Sequence, residues 1–289
     1  MITRMEIASS LPGVPELPLG GFMPNDDPVQ IRNIEGLGPV KADVALTPYA
    51  TGRGELFQGS STPKRNIVLT LGLNPNWTDQ TMASLRQLLY RYFMPENWGT
   101  FKFFTNEIPP VYINGVVESF EPNIFSQDPE IQVSILCPKP DFIDSGATFV
   151  NGVSGGLIGA APVTIEYEGT APTGFIIRVT PTNPLAEYSG NIGIINTMGG
   201  QQQELTVQMA TLNFPDFVEV STTKTSRYIY QYTGRPTPTT VTDIMAKLII
   251  SSDWPELKPG PNVFQVVHDI FASSSLDWRM GYFNRFGGL

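Results

Sequence analysis

The chain is poor in the residues that carry chemistry. Among 289 residues there is one cysteine, Cys137, and one histidine, His268. A lone thiol cannot close a disulfide within the chain, and no Cys/His metal cluster can be assembled. Charged side chains make up only 16% of the residues, against roughly 25% in an ordinary soluble domain. Basic runs are missing and the formal net charge is -9. A nucleic-acid coat needs Lys and Arg to displace phosphate counterions, so specific nucleic-acid binding is excluded. No apolar run approaches the roughly 20 residues that span a bilayer. The opening residues lead into Pro12, Pro15 and Pro18 without an apolar stretch, so no secretory signal is expected. Folding is expected in a reducing cytoplasm.

What is present describes a β protein. Hydrophobic residues reach 41%, enough for a sizeable core, and 27 glycines and 26 prolines punctuate the whole length. Short apolar segments between turn residues point to sandwiches or barrels rather than βαβ units. Ile67, Leu69, Leu71 and Leu73 alternate as in a half-buried strand, and so do Ile131, Val133 and Ile135. Met82, Leu85, Leu88, Leu89 and Tyr92 share one helical face. Thr78 and Asp79 are the expected cap and Pro95 the stop. Asn114-Gly115 between two apolar runs predicts a type I′ hairpin. A Gly-, Ser- and Ala-rich stretch from 141 to 161 marks a domain junction, giving domains 1–140 and 141–289. Eight candidate strands follow it, as in a two-sheet sandwich. Residues 241–250 read as a helical turn or a loop packed across that sandwich.

The few candidates for catalysis are weak. Strand alternation puts His268 on the face opposite Val263, Gln265 and Val267, which reads as a surface or interface position. Cys137 stands before Pro138 with no base in sight and reads as a buried structural thiol. Glu166 and Glu168 share a strand face, and Asp26-Asp27 and Asp141 with Asp144 are further carboxylate clusters, but all read as solvated. The spacing Asp141 to Ser145 does not match an EF-hand loop. The glycines at 36–38 and 152–159 lack the residues of a phosphate loop. The expectation is a protein with no catalytic residues and no cofactor or metal. An alternative is a lectin-like sandwich that uses an exposed aromatic such as Trp278 or Tyr230. Residues 45–64 have no periodicity, and a long structureless stretch reads as an arm reaching a neighbour.

The order of motifs resembles the distal tail protein (Dit) family of long-flexible-tailed bacteriophages. The matching pieces are Ile31–Val40, the Arg-anchored strand Arg65–Leu73, the helix, and Tyr112–Gly115. Cys137–Pro140, the Trp254–Asn262 turn and the final Tyr282–Leu289 segment complete the order. The resemblance implies an N-terminal split-barrel or β-sandwich domain with one α-helix, followed by a C-terminal galectin-like β-sandwich. It also implies a structural virion protein: a homohexameric ring at the tail tip, around the DNA channel. Its partners would be its own copies, the tail tube protein and the baseplate hub, with the tape measure and receptor-binding proteins as further candidates. Candidate interface residues are Arg32 and Leu37 in the opening segment, and Tyr49, Arg53 and Phe57 in the arm.

Overall fold

The computed structural model describes residues 2–20, 27–75, 80–123, 129–156, 161–183, 187–234, 237–268 and 275–289. The chain is mainly β with a single α-helix among the described residues. It divides into two compact units, Met1–Gly146 with Phe286–Leu289, and Ala147–Arg285.

The first unit contains β1 (Ile2–Ser9), β2 (Leu17–Leu19), β3 (Val29–Glu35), β4 (Asp43–Pro48), β5 (Glu55–Ser61) and β6 (Arg65–Leu73). After α1 (Met82–Phe93) come β7 (Trp98–Thr105), β8 (Val111–Pro122), β9 (Glu130–Cys137) and β10 (Phe142–Asp144). The main sheet runs β2-β1-β7-β8-β9-β6-β3. Its two ends meet: the Gly20 N–H donates to the Val29 carbonyl, and the Ile31 N–H donates to the Gly20 carbonyl, both at 3.2 Å. The sheet therefore closes into a barrel, which removes its free edges. Alternate residues fill the interior, among them Leu69, Leu71, Phe101, Ile113, Val133 and Ile135. Leu85, Leu89, Tyr92 and Phe93 of α1 are buried against this core.

The helix begins later than its sequence suggests. Thr78 and Asp79 lie outside the described residues, and the cap is Thr81. The Ser84 N–H donates to Thr81 Oγ1 (3.2 Å), and the Thr81 N–H donates to Ser84 Oγ (2.9 Å). This reciprocal pair satisfies two orphan donors of the first turn. The chain leaves the helix at Met94, directly before Pro95.

Asn114-Gly115 is not a turn. β8 continues through it, hydrogen-bonded to β7 on one side and to β9 on the other. Val111, Ile113, Gly115 and Val117 are all buried, so the period of two is unbroken. A Cβ on Gly115 would lie 2.6 Å from Ile135 Cγ2 and 3.0 Å from Cys137 Sγ. Glycine is there for close approach of side chains, not for positive φ.

The second unit contains β11 (Thr148–Gly156), β12 (Val163–Tyr167), β13 (Phe175–Pro181), β14 (Glu187–Met198), β15 (Gln201–Asn213) and β16 (Phe217–Ser221). It continues with β17 (Tyr228–Thr233), β18 (Thr240–Asp243), β19 (Gly260–His268) and β20 (Leu276–Tyr282); β21 (Arg285–Phe286), last in chain order, belongs to the sheet of the first unit. The strands run β15-β14-β19-β11-β20-β13-β16-β17-β18, and β12 pairs with the first residues of β19, Gly260 to Phe264, where β11 pairs with its last two. The array folds over on itself as a sandwich. Phe264 of β19 packs edge-on against Phe175 of β13 (5.4 Å) and tilted against Trp278 of β20 (5.1 Å). The type I′ geometry sought at Asn114-Gly115 occurs instead at Gly199-Gly200 between β14 and β15. There φ is +56° and +80°, and Met198 pairs with Gln201. Both central residues of such a turn need positive φ.

The stretch 241–250 splits between β18, a 3₁₀ turn (Met245–Lys247) and a bridge from Leu248 to Val207. The Trp254–Asn262 turn is organised by one buried side chain. Asn262 donates to the Lys258 and Gly260 carbonyls (2.7 and 2.8 Å) and accepts from the Lys258 N–H (3.1 Å). That leaves Gly260 with φ +92°, a conformation costly to any residue with a Cβ.

Candidate functional site

The groups considered for catalysis are distributed over both units, some buried and some exposed. Cys137 is fully buried, and burial pushes its thiol up to about 12 against a smaller opposing pull from Arg65. A protonated thiol is a poor nucleophile. His268 does lie opposite Val263, Gln265 and Val267, but that face is the inner one. It is 2% exposed, on the side of Phe264 and Val266. The surface position expected from alternation is thus corrected: alternation separates two faces without saying which is wet. Glu166 and Glu168 are exposed. Asp144 is buried and accepts from the Gly146 N–H (2.9 Å), a local turn contact. Asp27 is exposed, and Asp26 lies outside the described residues. Among the described residues no three His, Cys, Asp or Glu side chains gather as metal ligands. Trp278, offered above as an exposed sugar platform, is 3% exposed and belongs to the core.

The residues expected at an interface fall on two structures. Tyr49, Arg53 and Phe57 belong to one β-hairpin, β4–β5, which forms its own two-stranded sheet. The stretch 45–64 is therefore regular, contrary to the structureless arm expected from its pattern. Its alternation is invisible because neither face is buried: nearly every residue of both strands is exposed. Periodicity in sequence records one-sided burial, and here there is none. Yet Phe57 (61%), Tyr49 (51%), Val44 (51%), Leu46 (49%) and Leu56 (48%) are apolar and open to solvent. Leu46 pairs directly with Phe57 across the hairpin. A lone hairpin is marginal in water, and exposed apolar side chains on both of its faces mark an interaction element.

Arg32 and Leu37 sit elsewhere. Arg32 is exposed on β3 and crosses Gly72, where an added Cβ would meet its Nε. Leu37 is half-buried against the barrel core, and its carbonyl accepts from the Leu289 N–H (3.0 Å).

Arg65 is the residue whose role the pattern of the chain did not disclose. It opens β6, is 2% exposed, and donates to four carbonyls. Nε reaches Pro140 (2.6 Å), Nη1 reaches Gly36 (2.6 Å) and Gly38 (2.7 Å), and Nη2 reaches Gly287 (2.5 Å). Its guanidinium lies 4.6 Å from the centre of the Phe142 ring. Burial lowers its pKa, opposed by the charges of Cys137 and Asp141. One side chain thus ties together the loop after β3, the segment after β9 and the final residues. The sequence signal was a single charge opening a strand with one apolar face.

No protein-family profile matches the chain, and no curated protein sequence does. Solved structures do. The SPP1 Dit protein, described as a paradigm of the hub adsorption apparatus of phages infecting Gram-positive bacteria, superposes with a TM-score of 0.66 at 15% identity. The match covers 98% of this chain and 99% of that one. A chain of the phage P2 baseplate in its activated conformation with Ca gives a TM-score of 0.47 at 10% identity over 100% of both chains. A chain of the p2 baseplate with Sr gives 0.40 at 11% identity, covering 96% of this chain and 97% of that one. Over nearly its whole length, the chain has the fold of the SPP1 Dit protein.

Proposed function

We propose that the chain is a distal tail protein, a non-catalytic ring component of the tail tip of a long-tailed phage. In this reading the barrel unit forms a homohexameric ring around the DNA channel, between the last tube ring and the baseplate hub. The sandwich unit contacts receptor-binding or other baseplate proteins. The observation that carries the reading is the apolar hairpin β4–β5, exposed on a chain with the fold of SPP1 Dit. A closed ring repeats one heterologous contact, in which a projecting element of each copy meets a different surface of the next. A hairpin carrying Leu46, Leu56 and Phe57 is such an element. Obligate interfaces run to about 2,000 Å² and more, which a projecting arm helps to reach. The acidic balance suits a channel wall, because cationic walls would retain DNA by counterion release.

The test is the mass of the purified protein by light scattering, with negative-stain images. A hexamer and six-fold rings are expected. A chain that stays monomeric at high concentration, with no ring in the images, refutes the reading. Phe57→Asp with Leu46→Asp should give a folded monomer, since neither side chain touches either core. Hexamers that persist in the double variant would refute the role of the hairpin.

A further inference from the structure

The outer face of the sandwich carries an ordered pattern that the ring reading does not use. β11, β20, β13, β16, β17 and β18 lie side by side, and their outward residues fall into cross-strand rows. The middle row is Asn151, Arg279, Arg178, Glu219, Tyr230 and Asp243. On one side of its arginines stand Phe149, Gly281 and Ile176; on the other stand Val153, Asp277 and Thr180. A cavity of about 420 Å³ opens on the first side, walled by Phe149, Ile176 and Phe283. Another of about 500 Å³ opens on the second, walled by Val153 and Thr180. Arg178 and Arg279 line both, as the ridge between them.

Two guanidiniums directly opposite each other on neighbouring strands repel, and a sheet gains nothing from the arrangement. Arg178 is neutralised: it donates to Glu219 Oε2 (2.9 Å) and lies 4.1 Å from the Phe217 ring centre. Arg279 lies over Phe149 at 4.5 Å and has no carboxylate partner among the described residues. Around this unmatched charge, Phe149 (56%), Val153 (55%), Ile176 (44%) and Phe283 (42%) are exposed. Arginine among exposed apolar side chains is the composition of a protein-binding centre.

We propose that this face docks an extended segment of a partner protein in which alternate residues are apolar, acidic and apolar. The single carboxylate is received by Arg279 beside Arg178, and the two apolar side chains enter the flanking cavities. The spacing supports this occupant. Rows two residues apart along a strand are about 6.7 Å apart, which is also the same-side repeat of an extended peptide. A saccharide fits less well. It needs open ring faces, whereas Phe149 and Phe217 are covered by the two guanidiniums, and Tyr228 and Tyr230 stack on each other at 4.5 Å. Glu219, Asp277 and Asp243 on the same face disfavour a polyanion. The site lies wholly within the second unit and requires no particular oligomer.

The experiment is fluorescence anisotropy on the full chain with a labelled acetyl-Gly-Leu-Thr-Glu-Thr-Phe-Gly amide peptide. The controls are the same peptide with Gln for Glu and an unlabelled glucuronate-containing hyaluronan oligosaccharide as competitor. Saturable binding of the Glu peptide is expected, about tenfold weaker for the Gln peptide and for Arg279→Gln, as the loss of a charge-assisted contact requires. The difference should shrink with added salt. Arg279 is exposed, so the variant should unfold at the wild-type temperature. Lack of saturation by the Glu peptide, equal binding of the two peptides, binding indifferent to Arg279→Gln, or displacement by the oligosaccharide would each overturn the proposal. Light scattering on the same samples reads the ring separately, so the two readings fail independently.

Discussion

Replacing Arg65 by Met should loosen the first unit and leave the second intact. Met keeps most of the stem volume and removes the guanidinium. Four carbonyls, of Gly36, Gly38, Pro140 and Gly287, then lose their donor, and the Phe142 ring loses its cation. A hydrogen bond to a charged group contributes about 1.5–3 kcal/mol, but the buried charge also carries a desolvation cost that its removal recovers. Not all four carbonyls stay dry once the segments holding them relax. The net loss expected is about 3–5 kcal/mol, the range for breaking a buried charged network. Arg65→Lys should lie between, because an ammonium cannot match the planar fork that reaches four acceptors. Urea unfolding followed by hydrogen-exchange mass spectrometry would localise the effect. Protection should fall in β6, in residues 36–39 and in 286–289, while β13, β19 and β20 keep theirs. A loss under about 1 kcal/mol for Arg65→Met, or protection lost evenly across both units, would refute the view of Arg65 as the tie of the first unit.

Gly115→Ala should cost about 1–3 kcal/mol by overpacking against Ile135 and Cys137, and Cys137→Ala should recover part of it in a double-mutant cycle; additive losses would contradict the close approach. Because the Cys137 thiol is raised to about 12 in the fold against roughly 8.5 unfolded, its neutral form is the one the fold stabilises. That contribution is full below about pH 8.5 and is lost as pH rises toward about 12, so Cys137→Ser should flatten the alkaline limb of the urea midpoint. Iodoacetamide at pH 8 should label Cys137 only as fast as the first unit opens. Gly200→Ala should destabilise the β14–β15 hairpin by roughly 1 kcal/mol, since φ is +80° there, whereas Gly200→Asn should be better tolerated; equal thermal midpoints for the two variants would contradict the turn geometry.

Much of the fold was legible in the chain because one-sided burial leaves a period. β6 and β9 were marked by alternation, and α1 by its apolar face. Where burial is two-sided or absent, the signal fails. β11 runs through a Gly- and Ser-rich stretch that reads as a linker, because Gly152 makes room for Trp278: a Cβ there would lie 2.4 Å from the indole. The hairpin β4–β5 has no buried face, so its strands carry no pattern at all. Local turn chemistry misled at Asn114-Gly115, where pairing with β7 through the dipeptide and with β9 directly after it outweighs a favourable turn dipeptide.

By itself, the sequence determined what this protein has little of: one thiol, one imidazole and no basic run, in a composition punctuated for β structure. It determined most strand identities as well, because alternation is a local record that the two faces of a strand differ in burial. Only the tertiary structure decided which face that was, as His268 and Trp278 show. It alone decided that the first sheet closes on itself through Gly20, that Arg65 reaches a carbonyl 222 residues further along the chain, and that two arginines stand opposite each other between two hollows. Those outcomes depend on strand register between distant parts of the chain, and register leaves no mark on the local order of residues.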